Sequence, residues 1–274
     1  MIKEIHLQNW KSFEKSTLYI DPLTFIIGTN ASGKSNILDA LYFLCGSAKG
    51  IPLNDLAQKT RGGVDWLIRK GTDSFTLAAV IDDESGDLVY TLTCRKNDTS
   101  LQLVSESLEQ TSPRASKTLF ATDITHEDTA SSTLPVLFSG KQKPLDLNRQ
   151  TTILSQMENL VAIRKVKESA LLTGKPGSLL VIEEVDNGLH PSRAQELVNV
   201  LNKLGEKSQI DIICTTHNPV LIDTLGHEMI PFISYVSRSE KSGCSVISLL
   251  EEKNNLAKLM ARGSVGDLMT EDAL

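Results

Sequence analysis

Gly28-Thr-Asn-Ala-Ser-Gly-Lys-Ser35 (GTNASGKS) matches the phosphate-loop pattern G-x-x-x-x-G-K-[ST] in full, and it follows the apolar, strand-like run Leu23-Thr-Phe-Ile-Ile27. The two glycines, Gly28 and Gly33, permit backbone angles that a side chain would forbid. Across Thr29, Asn30, Ala31 and Ser32, successive N–H groups can then curl into a nest around phosphate oxygens. By this reading Lys34 reaches the β- and γ-phosphates and Ser35 places its hydroxyl on Mg²⁺. The apolar helix beginning at Ser35-Asn36 and running through Ile37 to Leu44 aims the positive end of its dipole at the same anion. Strand, loop and helix in this order predict a site for a nucleoside triphosphate and Mg²⁺.

Outward from the loop, Ile2 to Phe13 has short-period apolar positions, and Ser16 to Ile20 reads as its hairpin mate before Asp21-Pro22 turns the chain. Strand patterns recur at Phe75 to Asp82 and Leu88 to Arg95, with a turn at Ser85-Gly86. From Ser105 to Asn148 the composition shifts to Ser, Thr, Pro, Lys and Asp, which predicts an inserted lobe of low definition. Beyond it come a helical stretch over Ile153 to Leu172, an apolar strand at Ser178 to Ile182, a helix at Ser192 to Leu204 and a strand at Ile210 to Thr215. This alternation predicts an α/β fold around a mostly parallel sheet. The domain reading is residues 1–104 and 151–274 forming the two parts of one core, with 105–150 inserted between them.

Leu179-Leu-Val-Ile-Glu-Glu184 is an apolar strand ending in two acids, the arrangement a phosphate-loop enzyme needs opposite its loop. Glu183 is positioned to orient the metal shell through water, and Glu184 to polarise the attacking water as the catalytic carboxylate. Thr215-Thr-His217-Asn-Pro219 follows the next strand, so His217 emerges at the same carboxyl edge, within reach of a γ-phosphate. The chain of 274 residues is 40% hydrophobic and 23% charged, enough for a substantial core, and its formal charge of −6 gives no global footprint for nucleic acid. Basic residues cluster only locally, at Arg61, Arg69 and Lys70, at Lys141 and Lys143, and at Arg164, Lys165 and Lys167. The start lacks a signal-peptide pattern and no apolar run is long enough to cross a bilayer, so the expectation is a cytoplasmic protein. Cys45, Cys94, Cys214 and Cys244 lack the spacing of a zinc or redox motif and are read as reduced.

The ordered set resembles the ABC-type P-loop ATPases of the branch that includes RecF, the SMC proteins and the OLD-like and PtuA-like ATPases of anti-phage systems. Asn9-Trp-Lys-Ser-Phe13 looks like that branch's aromatic N-terminal motif, GTNASGKSNILDAL like its phosphate loop and helix, IEEVDNGLHPS like its second Walker motif and following loop, and TTHNP like its switch histidine. The resemblance implies an antiparallel N-terminal β-layer beside the parallel core. It implies Gly28, Asn30, Gly33, Lys34 and Ser35 around phosphate and Mg²⁺, Glu184 as catalytic carboxylate, His217 as γ-phosphate sensor, and Gly188-Leu-His-Pro191 as the loop facing an opposite subunit. Two departures from the pattern stand out. The metal-shell Asp of the family is Glu183 here, and the Ser-Gly signature is absent, Leu154-Ser155-Gln156 being at best a remnant. Implied function is Mg²⁺-dependent ATP hydrolysis by a nucleotide-sandwiched homodimer or higher oligomer. Within these 274 residues no appended TOPRIM-like domain is expected. That leads to the expectation of a separately encoded effector, a nuclease in anti-phage defence. Alternatives are a DNA-repair or chromosome-maintenance ATPase that engages DNA, and an ATP-binding scaffold with little hydrolysis.

Overall fold

Buried residues alternate along Asp87–Asn97 but are continuous along Leu23–Ile27, and these two patterns separate the two kinds of sheet in the protein. The structure, a computed structural model, describes residues 1–113, 115–123, 133–138, 140–146, 150–157, 161–169, 177–187, 190 and 193–271. Its strands are β1 (Ile2–Trp10), β2 (Phe13–Tyr19), β3 (Leu23–Ile27), β4 (Ser74–Ile81), β5 (Asp87–Asn97), β6 (Ser100–Ser112), β7 (Ala115–Asp123), β8 (Thr133–Phe138), β9 (Lys141–Asp146), β10 (Leu179–Ile182), β11 (Asp211–Thr216), β12 (Ile233–Arg238) and β13 (Ser245–Leu249). The helices are α1 (Lys34–Ala48), α2 (Leu53–Lys59), α3 (Ile153–Gln156), α4 (Val161–Ser169), α5 (Ala194–Ser208), α6 (Pro219–Thr224), α7 (Leu256–Met260) and α8 (Val265–Thr270). The chain divides into two units, Met1–Ser16 with Leu38–Leu171, and Thr17–Ile37 with Leu172–Leu274.

The first unit carries an antiparallel run in the order β1-β4-β5-β6-β7-β8-β9. Trp10, Phe43 of α1 and Phe75 of β4 meet edge to face, with centroids 4.9–5.6 Å apart, and all three are buried. Each such pair adds about 0.5–1.5 kcal/mol beyond its burial. The segment expected to be an inserted lobe, 105–150, carries β7–β9 and most of β6 as a continuation of this run; the boundary expected at 104/105 falls inside β6. Its strand signal was obscured by two register shifts, between Thr93 and Cys94 on β5 and between Leu108 and Glu109 on β6. At the first, Leu103 and Val104 are both buried in succession, which breaks the period-two pattern that sequence reading depends on.

The second unit orders its strands β10-β11-β3-β12-β13; the first three junctions are parallel and the last antiparallel. Ile212, Cys214, Phe25, Ile27, Ile233 and Tyr235 share one core cluster with Val198 and Leu201 of α5 and Leu221 and Ile222 of α6. This is the parallel core that the βαβ rhythm predicts. The expected helix over 153–172 is observed as α3 and α4; residues 158–160 and 170–176 lie outside the described residues. α2, β12, β13 and α8 were not foreseen.

Candidate active site

Every residue of the expected site belongs to the second unit. β3 delivers the loop: Ile27 is the last strand residue, and Gly28 follows at φ 151° with room for no side chain. A Cβ there would stand 2.3 Å from the Val236 carbonyl oxygen and 2.9 Å from Ser32 Oγ. Gly33 adopts φ 124° and Ala31 φ 62°, so the loop alternates in hand as a nest requires. The Asn36 and Ile37 amides donate to the Gly33 carbonyl and open α1. Gly28, Ser32, Gly33 and Lys34 are buried, Thr29, Asn30 and Ala31 exposed, and Ser35 and Asn36 half-buried. Lys34 Nζ donates to the carbonyls of Gly28 (2.7 Å) and Thr29 (2.9 Å). Burial draws the pKa of this ammonium down, against the upward pull of the Glu184 and Asp186 charges.

The parallel pairing β10-β11-β3 brings the other carboxyl ends level with the loop. Leu179 to Ile182 pair with Asp211 to Cys214, and Thr215 and Thr216 pair with Ile26 and Ile27. Beyond β10, Glu183 accepts a hydrogen bond of 2.7 Å from Ser35 Oγ, 148 positions earlier in the chain. A hydroxyl and a carboxylate are hard oxygen donors suited to Mg²⁺, an ion that keeps most of its shell for water and phosphate. Among the described residues no cluster of three or more His, Cys, Asp or Glu side chains could hold a metal by itself.

Glu184 is exposed and sits at φ 48°, a left-handed conformation for a residue with a side chain. Its amide donates to Thr215 Oγ1 at 2.9 Å, and the Val185 amide donates to the Thr215 carbonyl at 3.0 Å. Thr216 Oγ1 donates to Asp186 Oδ1 (2.6 Å) and accepts from the Asn218 amide (3.0 Å); Asn218 in turn caps α6, with Pro219 at its start. His217, half-buried between these two tethers, has a buried Nδ1 that makes no hydrogen bond among the described residues. The structure thus brings Lys34, Ser35, Glu183, Glu184 and His217 to one strand edge. It adds Asp186, Thr215 and Thr216, which sequence reading left out although the acid lies two residues past Glu184 and the threonines directly precede the histidine. Of the expected trans-acting loop, Gly188, Leu189 and Pro191 lie outside the described residues. The signature remnant lies in the first unit, where Ser155 Oγ donates to the Thr152 carbonyl and Lys167 Nζ to the carbonyls of Ser155 and Met157.

Residues 1–234 match the RecF/RecN/SMC N terminal domain family. The chain belongs to this family. It is an ABC-type P-loop ATPase of the RecF and SMC branch, and its fold is that of the SMC heads. The SMC head domain from Thermotoga maritima superposes with a TM-score of 0.50 at 16% identity, covering 90% of this chain and 98% of that one. An SMC head bound to the C-winged helix domain of ScpA gives 0.51 at 13% identity, covering 90% and 96%. Among curated proteins, the DNA replication and repair protein RecF of Porphyromonas gingivalis is 33% identical over 90 residues, which is 32% of this chain and 22% of the relative. Structural maintenance of chromosomes protein 4 of Schizosaccharomyces pombe is 26% identical over 273 residues, 93% of this chain and 17% of the relative. This RecF/SMC-type chain therefore spans about a fifth of the length of these two relatives. Among its described residues no helix is long and apolar enough to cross a membrane.

Proposed function

We propose that this chain is a Mg²⁺-dependent ATP hydrolase whose turnover serves a DNA-maintenance process of the RecF or SMC kind. The observation that carries the reading is the Ser35–Glu183 hydrogen bond at 2.7 Å. It joins the phosphate loop to the acidic strand end, with Glu184 next in sequence and His217 at the end of the neighbouring strand. Gly28 to Gly33 cradle the phosphates with their amides, and Lys34 exchanges its two carbonyl partners for phosphate oxygens when ATP enters. Ser35 and Glu183 would hold Mg²⁺, which when bound neutralises charge on the β,γ-oxygens. Glu184 orients and polarises the attacking water, and His217 donates from its ring to the γ-phosphate. Thr215 holds the Glu184 backbone for this task, and Asp186 and Thr216 fix the turn that carries His217.

Engagement of DNA follows the names of the relatives, one a DNA replication and repair protein and the other a chromosome protein, while the nucleotide-sandwiched dimer is carried over from the family resemblance. Those names favour DNA maintenance over a nuclease effector in anti-phage defence. The test is steady-state ATP hydrolysis over a range of protein concentrations, with and without double-stranded DNA, for wild type, Lys34→Ala and Glu184→Gln. Specific activity that rises with protein concentration, responds to DNA and drops at least a hundredfold in both variants supports the proposal. Tight ATP binding with equal, negligible turnover in wild type and Glu184→Gln would replace it with the scaffold reading.

A further inference from the structure

A phosphate nest works only if its peptide planes are held with N–H groups inward, which leaves their carbonyls pointing outward and in need of partners. Lys34 takes those of Gly28 and Thr29. The carbonyls of Ala31 and Ser32 are taken by the β12–β13 hairpin. Arg238 Nε donates to the Ala31 carbonyl at 3.2 Å, and Ser245 Oγ donates to the Ser32 carbonyl. Arg238 and Ser245 are direct cross-strand partners at the turn end of the β12–β13 ladder, so one rung of the hairpin holds two consecutive peptides of the loop. Val236 on the same strand lies with its carbonyl against Gly28. The rung is itself braced. Arg238 Nη1 donates to the Gly243 carbonyl at 2.9 Å, and the turn closes through the Ser239 amide donating to the Cys244 carbonyl (2.8 Å) and the Gly243 amide to the Ser239 carbonyl (2.7 Å).

We propose that the Arg238/Ser245 rung is a positioning element for nucleotide binding: it holds the Ala31 and Ser32 peptides in the phosphate-binding arrangement before ATP arrives. The proposal rests on the nucleotide-site reading above and names residues that reading does not use. Lys34 must leave its carbonyls to meet phosphate, whereas Arg238 and Ser245 need not move. The half of the loop that includes Ala31, with its left-handed φ of 62°, then stays ordered in both states. Without the rung, part of the binding energy would go into ordering the loop. The loss would fall on affinity for any nucleotide whose β-phosphate enters the nest, not on the chemical step at Glu184.

The experiment measures dissociation constants for fluorescent ATP and ADP analogues, together with kcat and KM for ATP, in wild type, Lys34→Ala, Arg238→Ala, Arg238→Lys and Ser245→Ala. Nucleotide-free melting temperatures are recorded alongside. Arg238 is exposed, so its truncation leaves the fold intact even if Ser245→Ala, which orphans a buried carbonyl, does not. The expected result is a weakening of about tenfold for ATP and ADP alike in Arg238→Ala, partial recovery in Arg238→Lys, a KM raised in proportion, and kcat within about twofold of wild type. Unchanged affinity in Arg238→Ala, or a loss confined to ATP, overturns the positioning role; the second outcome would mean direct contact with the γ-phosphate. A fall in kcat with a lowered nucleotide-free melting temperature and unchanged affinity also overturns it. Failure of wild type to bind either nucleotide refutes the nucleotide-site reading itself and is told apart by the Lys34→Ala control.

Discussion

Glu184 combines an exposed carboxylate with a backbone in the left-handed region, a combination that costs roughly 1–2 kcal/mol for a residue with a Cβ. The Thr215 hydroxyl and the Val185–Thr215 backbone bond hold the residue there, directly after a regular strand. Strain at this position accompanies the turning of a carboxylate out of the sheet edge at the place where water must be activated. Glu184→Gly is therefore expected to keep or raise thermal stability, by up to about 1 kcal/mol, while turnover falls at least a hundredfold. Calorimetric melting paired with an ATPase assay checks both halves of that expectation. At this scale the sequence was informative: paired acids after an apolar run, and a histidine after the next, locate Glu183, Glu184 and His217 correctly at one edge. Its silence on Thr215, Thr216 and Asp186 has a physical reason. Their part lies in hydrogen bonds between turns that are about 30 residues apart in the chain, and no local pattern encodes such a contact.

Two elements translate packing into measurable consequences. Where β3 ends, the Val236 carbonyl closes over Gly28; Gly28→Ala places a methyl 2.3 Å from that oxygen in a backbone region that L side chains rarely adopt. A loss of about 2–4 kcal/mol in denaturant unfolding, together with loss of nucleotide binding, is the expected outcome. In β6, Glu106 falls in the buried phase of the strand. Its carboxylate accepts from the amides of Ile153 (2.6 Å) and Leu154 (2.8 Å) and from Tyr90 Oη (3.0 Å). Burial outweighs these donors and raises its pKa from the usual 4.5 to about 7. Burial likewise raises Asp211, at the start of β11, from 3.8 to about 6. In both cases the folded state binds the proton more tightly than the unfolded chain. Stability from these groups is therefore fully present below about pH 4 and is lost as pH rises through about 7. Glu106→Gln should flatten the upper part of that slope in urea unfolding between about pH 5 and 8, at a cost in absolute stability because its amide NH₂ faces a backbone donor. A slope unchanged by the substitution would mean that Glu106 is already ionised in the folded protein. The parallel elements were legible because their strands read as continuous apolar runs. The antiparallel run past residue 100 was not, because bulges shift its phase and its solvated face supplies the Ser, Thr and Lys that look like loop.

The two units are each built from separate stretches of chain. Thr17–Ile37, which includes β3 and the phosphate loop, belongs with Leu172–Leu274, although Leu38–Leu171 of the other unit intervenes. Sequence order alone suggests an N-terminal part, an insertion and a C-terminal part, since nothing local announces that β3 will pair with β11 and β12. A fragment of residues 1–171 would contain the whole phosphate-loop motif yet lack both neighbours of β3. It is expected to aggregate or to fail in binding nucleotide in an equilibrium assay, and a soluble fragment that binds ATP with wild-type affinity would refute this account.

The distribution of sulfur offers a practical consequence. Cys45, Cys94 and Cys214 are buried, and burial raises all three thiols, Cys45 to about 11 and Cys214 to about 12, which suppresses the thiolate that alkylating reagents require. Cys244 is half-exposed in the turn between β12 and β13, one residue before Ser245. Maleimide dyes should therefore attach to the folded wild-type protein at a single position, verifiable by peptide mass mapping. The fluorophore would sit beside the loop that receives the phosphates, giving an optical reporter of nucleotide arrival without any engineered cysteine.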